Sequence, residues 1–285
     1  GAETLTCGAR QIVRLLNSGT SDILKLVETI TAKDPSRRER GRRIWGPHFD
    51  SVKQRTFRFE MSLEGSADAQ KFVYCLHVAA GNRTGPWADA GVECGKDTGR
   101  FVEVIRGSFT PDADAPEREG GVRHNGEGNV TLDFNKSFLN GVSTDDTRGV
   151  LSIDYRFDEA TSIVLTIGQG VDERTGRPTN GEYRYTMAAD RAGFMSLTLF
   201  KELRDCALCF DEGTLERFNL TAKWNAVRAS LVEARASGGD IPNGTVYYGY
   251  ECVDENNTFV ARRYDWEPAA TEGNPALCAF PPETP

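Results

Sequence analysis

The chain has 285 residues and a formal net charge of −8, with 39% hydrophobic and 27% charged residues. These proportions are those of a soluble globular protein, and the acidic balance argues against a nucleic-acid binder, which carries a basic face. No apolar run approaches the roughly 18–20 residues a membrane-spanning helix needs.

The N-terminal segment carries the clear helical pattern. Ala9 to Asn17 places Ile12, Leu15 and Leu16 on one stripe, and Ser18-Gly19-Thr20 interrupts it. Thr20 or Ser21 then caps a second helix running to about Ala32, with Ile23, Leu24, Leu26, Val27 and Ile30 on an amphipathic face. Lys33 to Arg43 is a basic run with Arg37, Arg38, Arg40, Arg42 and Arg43. It lacks interleaved aromatics and reads as a solvated linker.

From Ile44 on, the period is two. Phe57, Phe59, Met61 and Leu63 alternate with Arg58, Glu60 and Ser62, and Phe72, Tyr74, Leu76 and Val78 alternate with Val73, Cys75 and His77. The clearest stretch is Leu151 to Phe200. There Leu151, Ile153, Tyr155 and Phe157 share one face and Ser152, Asp154 and Arg156 the other, and short polar links lead to the runs at Ser162–Ile167, Tyr183–Met187 and Phe194–Phe200. Strands joined this way form an antiparallel meander. With further strands from Phe101, Asn129, Phe218, Ala229, Val246 and Phe259, about a dozen are expected, and a sheet of that many must curl or close. The fold expected is mainly β: an open or half barrel with the N-terminal helices on its concave face. Residues 1–43 hold the helices and basic linker, residues 44–285 the β domain, and the two make one folded unit.

Seven cysteines are present, so at least one is left over. Cys252 and Cys278 flank a plausible hairpin and are the best long-range disulfide pair, with Cys75 and Cys94 second. Cys206-Ala-Leu-Cys209 has no partner pair at zinc spacing and reads as a local disulfide or two thiols. Disulfides fit an exported protein. The chain opens at Gly1 without a methionine or signal-peptide core, and is expected to be a mature or trimmed fragment whose signal or lipid-modified cysteine has been removed.

Catalytic patterns are missing from the sequence. His48, His77 and His124 are far apart, there is no G-x-S-x-G, and the acidic groups at Asp112, Asp114, Glu117 and Glu119 and at Asp145 and Asp146 do not have calcium-loop spacing. Neither a metal nor a cofactor is called for. Glu60, Asp154 and Glu251 project from strands and would do acid–base work only if the sheet brought two of them together. The aromatic residues are the better clue. Four tryptophans, with tyrosines near the C-terminus, can fill a core or line a cavity for an apolar ligand. The candidate ligand contacts are Trp45, Phe57, Tyr155, Phe157 and Trp224.

Lys223-Trp224 through Ala229, Gly238-Gly239-Asp240-Ile241, Glu251-Cys252 and Asn274 through Phe280 resemble a family of uncharacterised predicted lipoproteins of Gram-negative bacteria. Leu132-Asp133-Phe134 and Gly149 through Tyr155 are similar to its middle section. That family usually has an aromatic after Glu-Cys, where this chain has Val253. The resemblance implies export and a membrane anchor ahead of the fragment, hence the periplasm or cell surface. The plan of helices on a curled sheet also looks like the carriers that move lipids or lipoproteins across the periplasm, an analogy of architecture alone. The leading functional expectation is non-enzymatic binding of a hydrophobic or lipid ligand. The alternative is a structural or adhesive envelope protein with a filled core, and the third is a hydrolase using strand-borne carboxylates.

Overall fold

The computed structural model of the chain describes residues 4–65, 70–85, 87–112, 126–139, 148–171, 178–201, 214–239 and 241–283. Helix α1 (Leu5–Thr31) is followed by β1 (Arg37–Glu39), β2 (Arg42–Asp50), β3 (Arg55–Glu64), β4 (Lys71–Ala80), β5 (Val102–Pro111) and β6 (Gly126–Asp133). A short helix α2 (Phe134–Leu139) precedes β7 (Arg148–Phe157), β8 (Thr161–Val171), β9 (Pro178–Met187), β10 (Gly193–Lys201) and β11 (Glu216–Trp224). The chain ends with β12 (Ser230–Ser237), β13 (Tyr247–Val253), β14 (Phe259–Tyr264) and β15 (Glu272–Gly273). The 15 strands form one open antiparallel sheet in which every strand neighbours the next in sequence.

Contacts divide the chain into two compact units. Thr20–Asp158 with Ile167–Arg177 make the β1–β7 unit, and Gly1–Gly19 with Glu159–Thr166 and Pro178–Pro285 make the β9–β15 unit.

Two local expectations are corrected. The helix does not stop at Ser18-Gly19-Thr20 but runs unbroken through them. Ser18 keeps its hydroxyl on the helix by donating to Leu15 O at 3.0 Å, and one interior glycine costs a helix only about 1 kcal/mol. The division between units nevertheless falls at Gly19 and Thr20. The basic run is largely exposed, as expected, but it is not an irregular linker. It forms β1 and the start of β2, in register through Arg37–Ile44 and Glu39–Arg42. Arg37 reaches Asp89 and Arg42 reaches Glu39 and Glu60, so carboxylates take up the charge of these two.

In the β1–β7 unit one apolar row crosses six strands in register: Trp45, Phe59, Leu76, Ile105, Leu132 and Leu151. On the same face the Tyr74 ring lies over Gly107 and the Tyr155 ring over Gly128, each directly across from its glycine. A Cβ at either glycine would collide with the ring, so the missing side chain is what lets the aromatic lie flat.

The opposite face of β3 and β4 carries Arg58, Glu60, Cys75 and His77, and all four are buried. The segment 81–101 covers them. Its Asp89 accepts from Arg58 Nε at 3.0 Å, and Arg58 also pairs with Glu60 at 2.7 Å. Val92 packs with Ala79 and Phe101, and Cys94 bonds to Cys75, with Cα atoms 5.6 Å apart.

The β9–β15 unit is also buried on two sides at its C-terminal end. Tyr183, Leu197, Leu220, Ala234 and Tyr264 lie on one face. On the other, Leu231, Tyr248, Tyr250, Cys252 and Ala261 form a small core against which Cys278 and Phe280 pack. Cys278 bonds to Cys252, with Cα atoms 5.8 Å apart, as the sequence spacing predicts. Glu283 completes the closure: its N–H donates to Glu233 at 2.9 Å and its carboxylate meets Arg235 at 2.5 Å. In both units, therefore, a buried strand cysteine holds a covering segment in place.

Candidate ligand-binding site

Four of the five aromatic candidates lie in the β1–β7 unit, and three of them, Trp45, Tyr155 and Phe157, make ring contacts there. Trp45 meets Phe59 at 5.5 Å between centroids, Phe59 stacks on Tyr74 at 6.1 Å, and Tyr155 meets Phe157 at 5.5 Å. The Tyr74 and Tyr155 hydroxyls interact at a geometry short of a full hydrogen bond. Burial pushes the Tyr74 hydroxyl up to about 12 and Tyr155 higher still, so both stay neutral. Trp45 is buried, with its indole N–H donating to Lys33 O at 2.8 Å. Phe57 is half-buried under the Arg55 guanidinium, 5.2 Å from its ring centre. This row does what a packed core does.

Trp224 sits elsewhere, in the β9–β15 unit. Its ring meets Tyr185 at 5.8 Å and covers Gly193, and its indole N–H donates to Arg191 O at 2.9 Å. It lines a cavity of about 700 Å3 bounded on one side by the first half of α1. The buried lining is largely apolar: Ala9, Tyr185, Ala222 and Val232, with Val13 and Trp224 half-buried. The exposed lining is polar: Arg10, Arg14, Arg228, Glu255, Asn256 and Asn257. A second cavity of about 430 Å3 shares Thr6, Arg10, Arg14 and Asn257 with the first.

The strand register explains the apolar wall. Tyr185, Met195, Ala222, Val232 and Glu251 are directly paired across five strands and share one face. The small residues Ala222 and Val232 leave the space that larger side chains would fill. Polar bonds hold this part of α1: Thr6 N donates to Glu251 at 2.8 Å, Arg10 to Asn257, and the Tyr183 hydroxyl to Asn17 at 2.9 Å. Thr6 Oγ1 is buried and has no hydrogen-bond partner.

Three hairpin turns of one construction close the β9–β10, β11–β12 and β13–β14 pairs. In each, the N–H of the first turn residue bonds to the carbonyl four positions on: Ala188 to Ala192, Asn225 to Ala229 and Asp254 to Thr258. The fourth residue of each turn is left-handed: Arg191 at φ 72°, Arg228 at φ 72° and Asn257 at φ 61°. Asparagine takes this conformation readily, arginine much less so.

The sequence missed most of the cavity. Thr6, Ala9, Arg10, Val13 and Arg14 recur at helical spacing and form its helical side. That stripe mixes apolar and cationic residues, so a search for the apolar face passes over it. Leu15, assigned to the apolar stripe, is 69% exposed.

The other candidates fall into place separately. Glu60 is taken up by Arg58 and Arg42, Glu251 by Thr6 N and the Tyr264 hydroxyl, and Asp154 is exposed. His48 is exposed, whereas His77 is fully buried. Burial holds the His77 imidazole below its usual range, and Glu103 only partly opposes this. Cys75, His77 and Glu103 present ligand atoms within 4.8 Å of one another. Cys75 is already bonded to Cys94, and Glu103 accepts from Gly95 N at 2.6 Å and pairs with Arg106, so the trio is committed to structure. Cys7 is a free, exposed thiol. Cys206, Cys209, His124, Asp114, Glu117, Glu119, Asp145 and Asp146 lie outside the described residues. Comparison of the chain with models of protein families, with curated proteins and with solved structures finds no match.

Proposed function

We propose that the protein is an exported binder or carrier of an apolar, lipid-like ligand, held in the cavity of the β9–β15 unit beneath the first half of α1. The observation that carries this reading is the cavity itself. Its volume of about 700 Å3 falls within the range of about 300–1,000 Å3 usual for small-molecule sites. Its buried lining is mostly carbon, and its polar groups stand on the exposed side. In this reading α1 lies on the concave face of the sheet and acts as the cover of the site. Export is supported by the two disulfides, which suit an oxidising compartment. No described helix is long and apolar enough to cross a membrane, and the lipoprotein resemblance adds an anchor ahead of Gly1 to the proposal.

A filled-core envelope protein is the second reading, favoured by the β1–β7 unit, where rings close over glycines. One experiment separates the two. Freshly purified protein is sprayed natively and its mass compared with that of Val13→Trp, which plugs the cavity from the helix side. A co-purified hydrophobic adduct in the parent and its loss in the variant are expected. Adduct-free parent protein that also takes up no added lipid would remove the carrier reading.

A further inference from the structure

We propose that the cavity of the β9–β15 unit selects ligands with an anionic head, a long-chain carboxylate or phosphate monoester, through the arginines on its exposed side. This rests on the cavity being a ligand site and adds the class of ligand. Arg10, Arg14 and Arg228 line the cavity against a single acid, Glu255. Arg10 is bonded to the neutral side chain of Asn257, so its charge is not cancelled there. Among the described residues, Arg14 and Arg228 have no side-chain hydrogen bond or ion pair. A fourth arginine, Arg191, stands in the neighbouring turn, whose carbonyl holds Trp224.

The backbone gives a second, independent argument. Arg191 and Arg228 both occupy left-handed positions at φ 72°. The equivalent position of the third turn is asparagine, the residue that this conformation favours, and glycine would suit it better still. At Gly238 the same chain places glycine at φ 79°. Strained side chains held at a site point to what the side chain does there. Here one such strained position, Arg228, carries a guanidinium on the cavity's exposed side, and the other, Arg191, lies in the turn whose carbonyl holds the lining residue Trp224. Arginine binds carboxylate and phosphate through paired N–H donors, which fits an anionic head above an apolar tail. The buried carboxylate Glu251 lines the adjoining smaller cavity with Thr6, Arg10 and Arg14, whereas Arg228 lines only the larger one, so the head is placed at the Arg228 side.

The test is calorimetric titration of the full chain with dodecanoate, dodecyl phosphate, dodecanol and dodecyltrimethylammonium, each below its micellisation concentration. Both anions should bind about tenfold more tightly than the alcohol, and the ammonium most weakly. The ratio of the two anions tells carboxylate from phosphate. Raising salt from about 50 to about 500 mM should narrow the gap between anion and alcohol. Arg228→Gly is the diagnostic variant. It relieves the backbone and removes the charge, so the thermal midpoint should hold or rise while anion affinity falls about fivefold and alcohol affinity stays. Equal binding of anion and alcohol, unchanged by Arg228→Gly, overturns the head-group assignment and leaves the cavity reading standing. Preference for the ammonium assigns the rim to Glu255 and also overturns it. If no amphiphile binds at all, both proposals fall together.

Discussion

Arg58→Met removes the one positive charge that is itself fully enclosed in the network under segment 81–101. The Arg58 side chain is 2% exposed, and those of Glu60 and Asp89 are 4% each. Methionine keeps most of the aliphatic length, so packing changes little and the loss is chiefly electrostatic. Breaking a buried pair by deleting one partner costs about 3–5 kcal/mol, because the remaining charge stays desolvated. Here the remaining carboxylates are not abandoned: Arg37 still reaches Asp89, and Arg42 still lies 3.4 Å from Glu60. Both arginines are partly exposed and screened, which places the expected cost near the lower end, about 3 kcal/mol. For a cooperative unit of this size that is about 10 °C in thermal midpoint. Scanning calorimetry measures it directly. The triple change Arg58→Met, Glu60→Leu, Asp89→Leu removes the stranded charges as well, and should recover most of the loss. A single variant within about 1 kcal/mol of the parent, or a triple variant worse than the single, would refute the reasoning.

Three further outcomes follow from the same geometry. His77 is held neutral by burial; as pH falls through about 6.5 the unfolded imidazole takes up a proton that the folded one refuses, so stability drops by up to about 1.4 kcal/mol per pH unit. His77→Gln should flatten the difference between urea midpoints at pH 7.5 and 5.5, and an unchanged slope would mean that other groups carry it. Cys252→Ser opens a closure of 26 residues and should cost about 3.5 kcal/mol, while unreduced peptide maps of the parent should show Cys252 with Cys278, Cys75 with Cys94, and Cys7 open to alkylation. Gly128→Ala would put a Cβ 2.5 Å from the Tyr155 hydroxyl oxygen and into the Ser108 carbonyl, costing about 1–3 kcal/mol; Gly168→Ala, which meets nothing within 4 Å, is the matched control and should be nearly silent.

Period-two alternation made the meander readable because each strand face meets one environment. Ile153 and Tyr155 are buried while Asp154 and Arg156 are exposed, as their alternation says. The reading fails where both faces are covered. Arg58, Glu60 and His77 look like an outward row, but a disulfide and an ion pair bring a segment across them, and neither leaves an apolar signature. β1 was illegible for a similar reason, since three charged residues carry no alternation and are held by pairing and by Asp89. Of the proposed ligand contacts, Trp224 alone lines the described cavity. Large aromatics mark where rings go, whereas a cavity is made by small residues such as Ala9 and Ala222, which a search for aromatics ignores.

Every ladder in the sheet joins strands adjacent in sequence, so pairing can begin as soon as a second strand leaves the ribosome. Helix α1 follows the opposite schedule. Its Thr6 N–H finds its partner at Glu251, 245 residues later, and a tenfold longer closure costs about 2 kcal/mol more than that of a neighbouring hairpin. Helix α1 therefore makes its bonds across a longer stretch of chain than any strand pairing in the sheet. Until β13 and β14 exist, the stripe from Thr6 to Arg14 faces whatever surrounds the nascent chain. The cavity, lined by the first half of the helix and by β9, β11 and β12, exists only where these distant parts of the chain have met.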